Sequence, residues 1–246
     1  MIDSHVHFGH FCEKYYQPDA VIDTVISFGV KEVYFSSTSS CIQNIEYAHV
    51  ENEIENVYNK YSSQVILKPF LWYLPEYARQ GLLPSKLIAS FPYAGIKIHP
   101  RAQIWNLQDP EVESMVHLIF SACGENNIPV LIHTGTDAID EANTFGMYFK
   151  RYRSTQVILA HCRPLEQAAA LMHEFSHIFC DTAFVEAEDI DFLIRQSFKK
   201  KILLGSDFPI THYYSNKYFK TQRSLTEQYA YDISTLQAYA SALNIL

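Results

Sequence analysis

The sequence predicts an α/β protein that forms one domain, a (β/α)₈ TIM barrel over residues 1–246. Short apolar runs rich in β-branched and aromatic residues recur along the chain, and segments with helical spacing separate them. Strands and helices that alternate in this way indicate a parallel sheet covered by helices, and eight such units in about 250 residues are typical of this barrel. A doubly wound open sheet is the competing fold, although no glycine-rich phosphate loop follows the first strand.

The elements follow in order from these patterns. Asp109 before Pro110 is a typical helix start, and Asn126 and Asn127 before Pro129 are a typical helix end. Residues 72–92 contain three prolines and are predicted to form a loop with a short helix. The predicted strands cover residues 2–7, 32–35, 65–71, 95–99, 130–133, 157–161, 178–181 and 202–207. The predicted helices cover residues 20–28, 46–61, 110–126, 139–152, 164–175 and 188–200, with a terminal helix at 225–246.

Composition and charge exclude several classes of protein. The formal charge of −8 argues against a broad nucleic-acid or anionic-membrane surface. No apolar run is long enough for a membrane span, and the polar start does not resemble a signal peptide, so we expect a cytoplasmic protein. Five cysteines at irregular spacings fit neither a disulfide framework nor a cysteine-rich zinc knuckle.

The positions of the histidines are the most informative feature of the sequence. Five of the eleven lie at the ends of predicted strands, and an aspartate ends the eighth strand. Because the carboxyl ends of the strands meet at one face of a barrel, we expect these side chains to converge. They are His5, His7, His99, His133, His161 and Asp207.

The first strand contains a histidine pair that suits a metal ion. His5 and His7 are two residues apart, and the period of a strand points both side chains to the same face. Imidazole suits Zn²⁺, Fe²⁺, Ni²⁺ or Mn²⁺, and a mixed histidine and carboxylate set with an open position is what a catalytic site needs. The pair alone is weak support for a metal site, and the full set of strand ends is much stronger.

Taken together, the strand-end motifs resemble those of the metal-dependent amidohydrolase superfamily, and the resemblance extends over nearly the whole chain. The order of a paired histidine motif, two single histidines and an aspartate on strands one, five, six and eight is more specific than any one motif. The compact chain and the GSDFP ending are most similar to the amidohydrolase-related branch of small hydrolases, lactonases and decarboxylases. The matching segments are IDSHVH, GIKIHP, VLIHTG, VILAHC and LLGSDFP.

The resemblance implies a role for each strand-end residue. His5, His7 and Asp207 would hold a divalent metal, and His133 would bind the same ion or a second one. His161 would be the next ligand or a hydrogen-bonding partner of the reacting water. Asp207 would also move a proton from water to the leaving group. We expect Zn²⁺ first, with Mn²⁺, Fe²⁺ or Ni²⁺ as alternatives, at one or two ions per chain.

Three further strand-end residues keep more than one interpretation. Lys97 could be a carboxylated bridge between two metals, a cation that neutralises a substrate anion, or a lysine that reaches the rim of the barrel. His99 could line the substrate pocket or be structural. Asp181 could orient a metal-ligating histidine or cap the following helix.

The predicted activity is hydrolysis by metal-activated water of a C–O or C–N bond in a small carboxylated substrate. Arg101 and Arg163 follow two of the strand-end histidines and could grip the substrate carboxylate. The alternatives are a non-oxidative decarboxylase on the same metal site, a phosphodiester hydrolase, which the net charge disfavours, and an inactive binding barrel. We expect a small-molecule substrate and no nucleic-acid or membrane partner, and the sequence leaves a homo-oligomer open.

Overall fold

A computed structural model describes residues 1–42 and 46–218. The described residues divide into two compact units, the first made of those within Met1–Pro69 and 181–218, and the second of Phe70–Cys180. The single domain therefore stays a prediction. The terminal helix predicted at 225–246 lies outside the described residues.

Strands and helices alternate along the described residues, as the sequence pattern predicts. Proline at the first or second helical position begins four of the helices, where its missing N–H leaves no hydrogen bond unmade. The strands are β1 Ile2–Phe11, β2 Lys14–Tyr16, β3 Glu32–Ser37, β4 Ile66–Trp72, β5 Gly95–Ile98, β6 Val130–His133, β7 Val157–Ala160, β8 Ile178–Asp181 and β9 Ile202–Leu203. The α-helices are α1 Pro18–Ser27, α2 Tyr47–Tyr61, α3 Pro75–Arg79, α4 Pro84–Ser90, α5 Pro110–Glu125, α6 Gly146–Arg151, α7 Leu165–Glu174, α8 Ala187–Arg195 and α9 Ile210–Tyr218. Short 3-10 helices cover Thr38–Cys41, Ala142–Phe145 and Lys199–Lys201.

In the first unit, β1 is the central strand. It pairs in parallel with β3, which pairs in parallel with the start of β4, and its last residues form an antiparallel hairpin with β2. The extended chain after β9 runs along β1, where the Ser4 N–H donates to the Leu204 carbonyl at 2.7 Å and the Asp207 N–H donates to the His5 carbonyl at 2.7 Å. These bonds place Asp207 beside the histidines of β1.

In the second unit, every strand pairing is parallel. The end of β4 pairs with β5, and β6, β7 and the start of β8 follow in order. The four residues of β5 are buried, and α5 packs against β5 and β6. Buried on both faces, these short strands have the continuous apolar pattern that parallel sheets require.

Several element bounds differ from the prediction. The predicted helix at 139–152 is a 3-10 turn followed by the short α6, because residues 135–141 form a loop closed by backbone hydrogen bonds. Residues 72–92 contain two short helices, α3 and α4, each begun by a proline. The hairpin of β1 and β2 was not predicted, and β9 is only two residues long because the chain after it pairs with β1 instead.

Candidate active site

Three of the predicted metal ligands lie together in the first unit. His5 and His7 project from β1, and Asp207 follows β9; all three side chains are buried. The two Nε2 atoms are 3.0 Å apart, and the Asp207 Oδ1 atom lies 3.2 Å from Nε2 of His7 and 3.9 Å from Nε2 of His5. Three potential ligand atoms therefore converge on one point.

The hydrogen bonds on the far side of each ring decide which nitrogen has the lone pair. His5 Nδ1 is 2.7 Å from the Asp181 carboxylate, and His7 Nδ1 is 3.1 Å from the carbonyl of Ser36. Oxygen acceptors at both positions favour the hydrogen on Nδ1, and in neutral rings this leaves the lone pairs on the two Nε2 atoms. Two lone pairs at 3.0 Å cannot hydrogen bond with each other. A cation between them removes that conflict.

The donor set fits a divalent metal. Bonds of about 2.0–2.2 Å to histidine and carboxylate ligands place neighbouring ligand atoms about 2.8–3.6 Å apart, and two of the three observed separations fall in that range. Two histidines and one carboxylate leave open coordination positions, which is typical of catalytic metal sites. The Asp181 carboxylate behind His5 is the kind of outer contact that orients a metal-ligating histidine.

A buried aspartate joins the two sequence motifs that supply the ligands. Asp3 accepts hydrogen bonds from the backbone N–H of His5 at 3.1 Å and from the N–H and hydroxyl of Ser206 at 3.0 and 2.6 Å. Gly205 allows the close approach, because a Cβ atom there would lie 3.0 Å from Cβ of His5 and 3.1 Å from Cβ of Asp181. These contacts give a structural reason for Asp3 in the DSH segment and for Gly205 and Ser206 in the GSD segment.

The histidines of the second unit form a different arrangement. The His133 ring stacks on His99, with 3.6 Å between ring centres and 14° between planes, and His99 stacks on Trp72 at 5.5 Å. His161 meets the edge of His133, with its Nε2 atom 3.1 Å from Nδ1 of His133. His161 has a φ of 71°, a left-handed conformation that costs roughly 1–3 kcal/mol in a residue other than glycine.

Lys97, Arg101 and Arg163 also lie in the second unit. The buried Lys97 places its Nζ 5.8 Å from the centre of the Trp72 ring. Arg101 is exposed and forms an ion pair with Asp137 at 3.0 Å. The Arg163 backbone N–H donates to the Thr134 hydroxyl at 2.9 Å.

Asp140 is a second buried carboxylate that the sequence did not single out. Its Oδ2 atom lies 3.6 Å from His133 Nε2 and 3.9 Å from Arg101 Nη1. Burial raises the pKa of Asp140, and a backbone hydrogen bond and the charges of Arg101 and Arg163 partly oppose that rise.

A family model described as amidohydrolase matches residues 87–232. The chain belongs to the amidohydrolase family. The resemblance that the strand-end motifs indicated is thereby confirmed. The matched segment contains Asp207 and begins after His5 and His7, so the family match does not extend to these two candidate ligands. No curated protein sequence matches the chain.

Solved structures of this superfamily have the same fold. One is described as a probable 2-pyrone-4,6-dicarboxylic acid hydrolase from Acinetobacter baumannii with citric acid bound; it is 13% identical, with a TM-score of 0.68 over 98% of this chain and 94% of the other. A dihydroorotase from Campylobacter jejuni is 13% identical, with a TM-score of 0.62 over 99% and 81% of the two chains. A 5-carboxyvanillate decarboxylase from Novosphingobium aromaticivorans, complexed with manganese and a nitrobenzoic acid, is 14% identical, with a TM-score of 0.55 over 88% and 79%.

These likenesses confirm the predicted fold class, an α/β protein of the TIM-barrel type. Among the described residues, no helix has both the length and the apolar character needed to cross a bilayer.

The structure distributes the predicted metal ligands between the two units. His5, His7 and Asp207 lie in the first, and His133 and His161 lie in the second. The sequence analysis missed two buried carboxylates, Asp3 and Asp140, and only the first could have been found from the sequence. Asp3 has the same parity as His5 and His7 on β1, so the alternation already indicated it. Asp140 lies in a loop, and nothing in the sequence distinguishes it from Asp137.

Proposed function

We propose that this amidohydrolase is a metal-dependent hydrolase that cleaves a C–O or C–N bond in a small carboxylated substrate. The observation that supports it most strongly is the convergence of the Nε2 atoms of His5 and His7 with Oδ1 of Asp207 at separations of 3.0–3.9 Å. Hydrogen bonds from both Nδ1 atoms to oxygen keep these lone pairs available. His133 and His161 are proposed as further ligands.

The chemistry divides between the metal and the side chains. A bound divalent cation lowers the pKa of water to about 7 and polarises a carbonyl group. Asp207 accepts the proton that the attacking water loses and donates it to the leaving alkoxide or amine, so no proton is gained or lost overall. His5 and His7 stay in their Nδ1–H forms throughout, because Asp181 and Ser36 hold those hydrogens. Lys97 would neutralise negative charge on the substrate or, if carboxylated, bridge two metals.

Two arginines of the second unit support a carboxylated substrate. The ion pair of Arg101 with Asp137 is exposed on both sides, and such pairs contribute only about 0–1 kcal/mol, so a substrate carboxylate can replace Asp137 at little cost. Arg163 would supply a second cation, and His99 would line the substrate pocket through its stack with His133. The similar hydrolase and decarboxylase described above both act on carboxylated molecules by their names.

A second candidate activity is non-oxidative decarboxylation of an aromatic acid. Trp72, His99 and His133 form a column of stacked rings, and a planar ring could extend that column at the partly exposed His133. A 5-carboxyvanillate decarboxylase is among the similar structures. Product analysis separates the two candidates, since decarboxylation releases CO₂ and hydrolysis yields two fragments or an opened ring.

The first test is metal content per chain, measured by elemental analysis on protein purified without chelator. We expect about one or two ions in the wild type, with zinc as the most abundant metal, and none in Asp207→Ala. Asp137→Ala is the matched control, since this exposed carboxylate lies outside the proposed centre. In Lys97→Ala, loss of one of two ions supports the bridging role, whereas an unchanged count supports the substrate contact. Lack of metal in the wild type under every loading condition would refute the proposal.

The second test is a screen of lactones, esters and amides that contain a carboxylate, with and without added Zn²⁺, Mn²⁺ or Fe²⁺. We expect metal-dependent turnover that chelation abolishes, and reduced turnover when the substrate carboxylate is esterified. Turnover that survives both chelation and Asp207→Ala would contradict the proposed chemistry.

A further inference from the structure

We propose that Asp140 is a positioning residue that sets the ring orientation and the tautomer of His133. This inference rests on the proposed function, because the orientation of His133 matters to the reaction only if His133 serves in it. The supporting observations are the burial of Asp140, the loop that holds it, and the contacts of the His133 ring.

The loop after β6 is built around the Asp140 side chain. The Gly135 N–H donates to the Asp140 carbonyl at 2.9 Å, and the Asp137 N–H donates to Oδ1 of Asp140 at 3.1 Å. A Cβ atom at residue 135 would lie 2.4–2.6 Å from the Asp140 carboxyl group, so only glycine fits there. The carboxylate therefore has a fixed position.

The other carboxylate oxygen faces the histidine. The Asp140 side chain has an exposure of 0%, and its Oδ2 atom has no hydrogen-bond donor among the described residues. Two titratable or charged side chains lie within 4 Å of it: His133, whose Nε2 atom is 3.6 Å away, and Arg101, whose Nη1 atom is 3.9 Å away. A buried carboxylate without a full set of hydrogen bonds lowers the free energy of unfolding, which favours a functional over a purely structural explanation.

Stacking alone cannot determine how His133 is oriented. The contact with His99 at 3.6 Å fixes the plane of the ring, yet a 180° flip leaves that plane unchanged and exchanges each nitrogen with a carbon. The Asp140 carboxylate distinguishes the two orientations, because it attracts an N–H and repels a nitrogen lone pair. It therefore favours the hydrogen on Nε2, which leaves the Nδ1 lone pair facing His161 at 3.1 Å.

The decisive measurement is the tautomer of His133 by ¹⁵N NMR of the Zn²⁺-loaded wild-type protein, with the signal assigned by its loss in His133→Gln. We expect a protonated Nε2, opposite to His5 and His7, whose hydrogens lie on Nδ1. A protonated Nδ1 with a bare Nε2 overturns the proposal. This result needs no active enzyme, so it stands even if no substrate is turned over and the proposed function fails.

The variant Asp140→Asn removes the negative charge of the Asp140 carboxylate and keeps the shape of the side chain. Asp137→Asn is its matched control. Both remove an anion beside Arg101, but only Asp140 faces His133. We expect Asp140→Asn to shift the His133 tautomer and to lower kcat by about 10–100-fold with KM nearly unchanged, as for other outer contacts of catalytic histidines. We expect Asp137→Asn to leave the tautomer unchanged and to affect KM instead of kcat, because it alters only the exposed partner of Arg101.

Two outcomes for the variants overturn the proposal. One is an unchanged tautomer in folded Asp140→Asn, and the other is an equal fall in kcat in both variants, which would assign the effect to Arg101. A purely structural role of Asp140 would lower the free energy of unfolding without moving the tautomer. If Asp140→Asn does not fold, the wild-type tautomer alone decides.

Discussion

The two units of this amidohydrolase surround their histidines with different neighbours. In the first unit, each ring nitrogen of His5 and His7 that faces away from the ligand cluster meets an oxygen acceptor, at 2.7 and 3.1 Å. In the second, His133 lies face to face with His99, and the carboxylate beside it is 3.6 Å away. The oxygen acceptors fix the hydrogens of His5 and His7 on Nδ1 and leave their Nε2 atoms available to a metal. Stacking on His99 fixes only the plane of the His133 ring, so a nearby charge can determine its tautomer. The residue type is the same, and the neighbours decide its chemistry.

The difference between the two units depends on two buried aspartates, Asp181 and Asp140. The Asp181 carboxylate lies 2.7 Å from His5 Nδ1 and also accepts the N–H of Ala183 at 3.1 Å. The Asp140 carboxylate is near Nε2 of His133 instead. One aspartate therefore keeps Nε2 bare and the other is expected to keep it protonated. Substitutions of these residues test whether the two units differ in this way.

The largest effect is expected from removal of a proposed metal ligand in the first unit. His7→Ala removes one of three converging ligand atoms, and we expect metal affinity to fall by more than about 100-fold, the upper end of the effect of losing an outer contact. Isothermal titration with Zn²⁺ measures this. His173→Ala, which removes an exposed histidine of α7, should bind as the wild type does. Unchanged affinity in His7→Ala would show that the metal is bound elsewhere.

The second-largest effect is expected from Asp181→Asn, compared with the same substitution at Asp140. Asp181→Asn keeps the side-chain shape but weakens the acceptor behind His5, so we expect metal affinity to fall by about 10–100-fold. Asp140→Asn should retain the affinity of the wild type for the ion that we propose His5, His7 and Asp207 bind. Competition with a colorimetric chelator distinguishes the two. Equal losses in both variants would mean that the contrast between the units is wrong.

A smaller effect concerns the approach of the GSD segment to β1. Gly205→Ala places a Cβ atom about 3 Å from atoms of Ser4, His5 and Asp181, and overpacking of this kind costs about 1–3 kcal/mol. Urea denaturation gives the change in free energy of unfolding. Gly146→Ala is the control, since no atom lies within 4 Å of its Cβ position. If Gly205→Ala is as stable as Gly146→Ala, the close approach is not a constraint.

The smallest effect is a pH dependence from His212. Burial lowers the pKa of His212 in the folded state, so the unfolded chain binds a proton that the folded chain excludes. The free energy of unfolding should therefore fall as pH drops below about 6.5, the ordinary pKa of histidine. His212→Gln should show a shallower fall over that range than the wild type, by chemical denaturation at several pH values. Parallel curves would contradict this assignment.

Local patterns in the sequence were sufficient for the order and type of most elements and for naming most of the candidate site residues. The N-cap at Asp109 is confirmed, since its carboxylate accepts the N–H of Glu111 at 2.9 Å. The period of two on β1 placed His5 and His7 on one face, because alternation in a strand is a local property. The helix predicted over 139–152 was too long, because closure of the loop depends on how Asp140 is packed and not on spacing.

The order of βα units, the class of fold and the residue types that could bind a metal were readable from the sequence, since these depend on periodicity and on which side chains follow each strand. Tertiary structure alone decided which nitrogen of each histidine is available. Asp181 is 176 residues from His5, and Ser36 is 29 residues from His7. No local pattern contains such pairings, because the hydrogen bonds that select a tautomer form only when distant strands pack together.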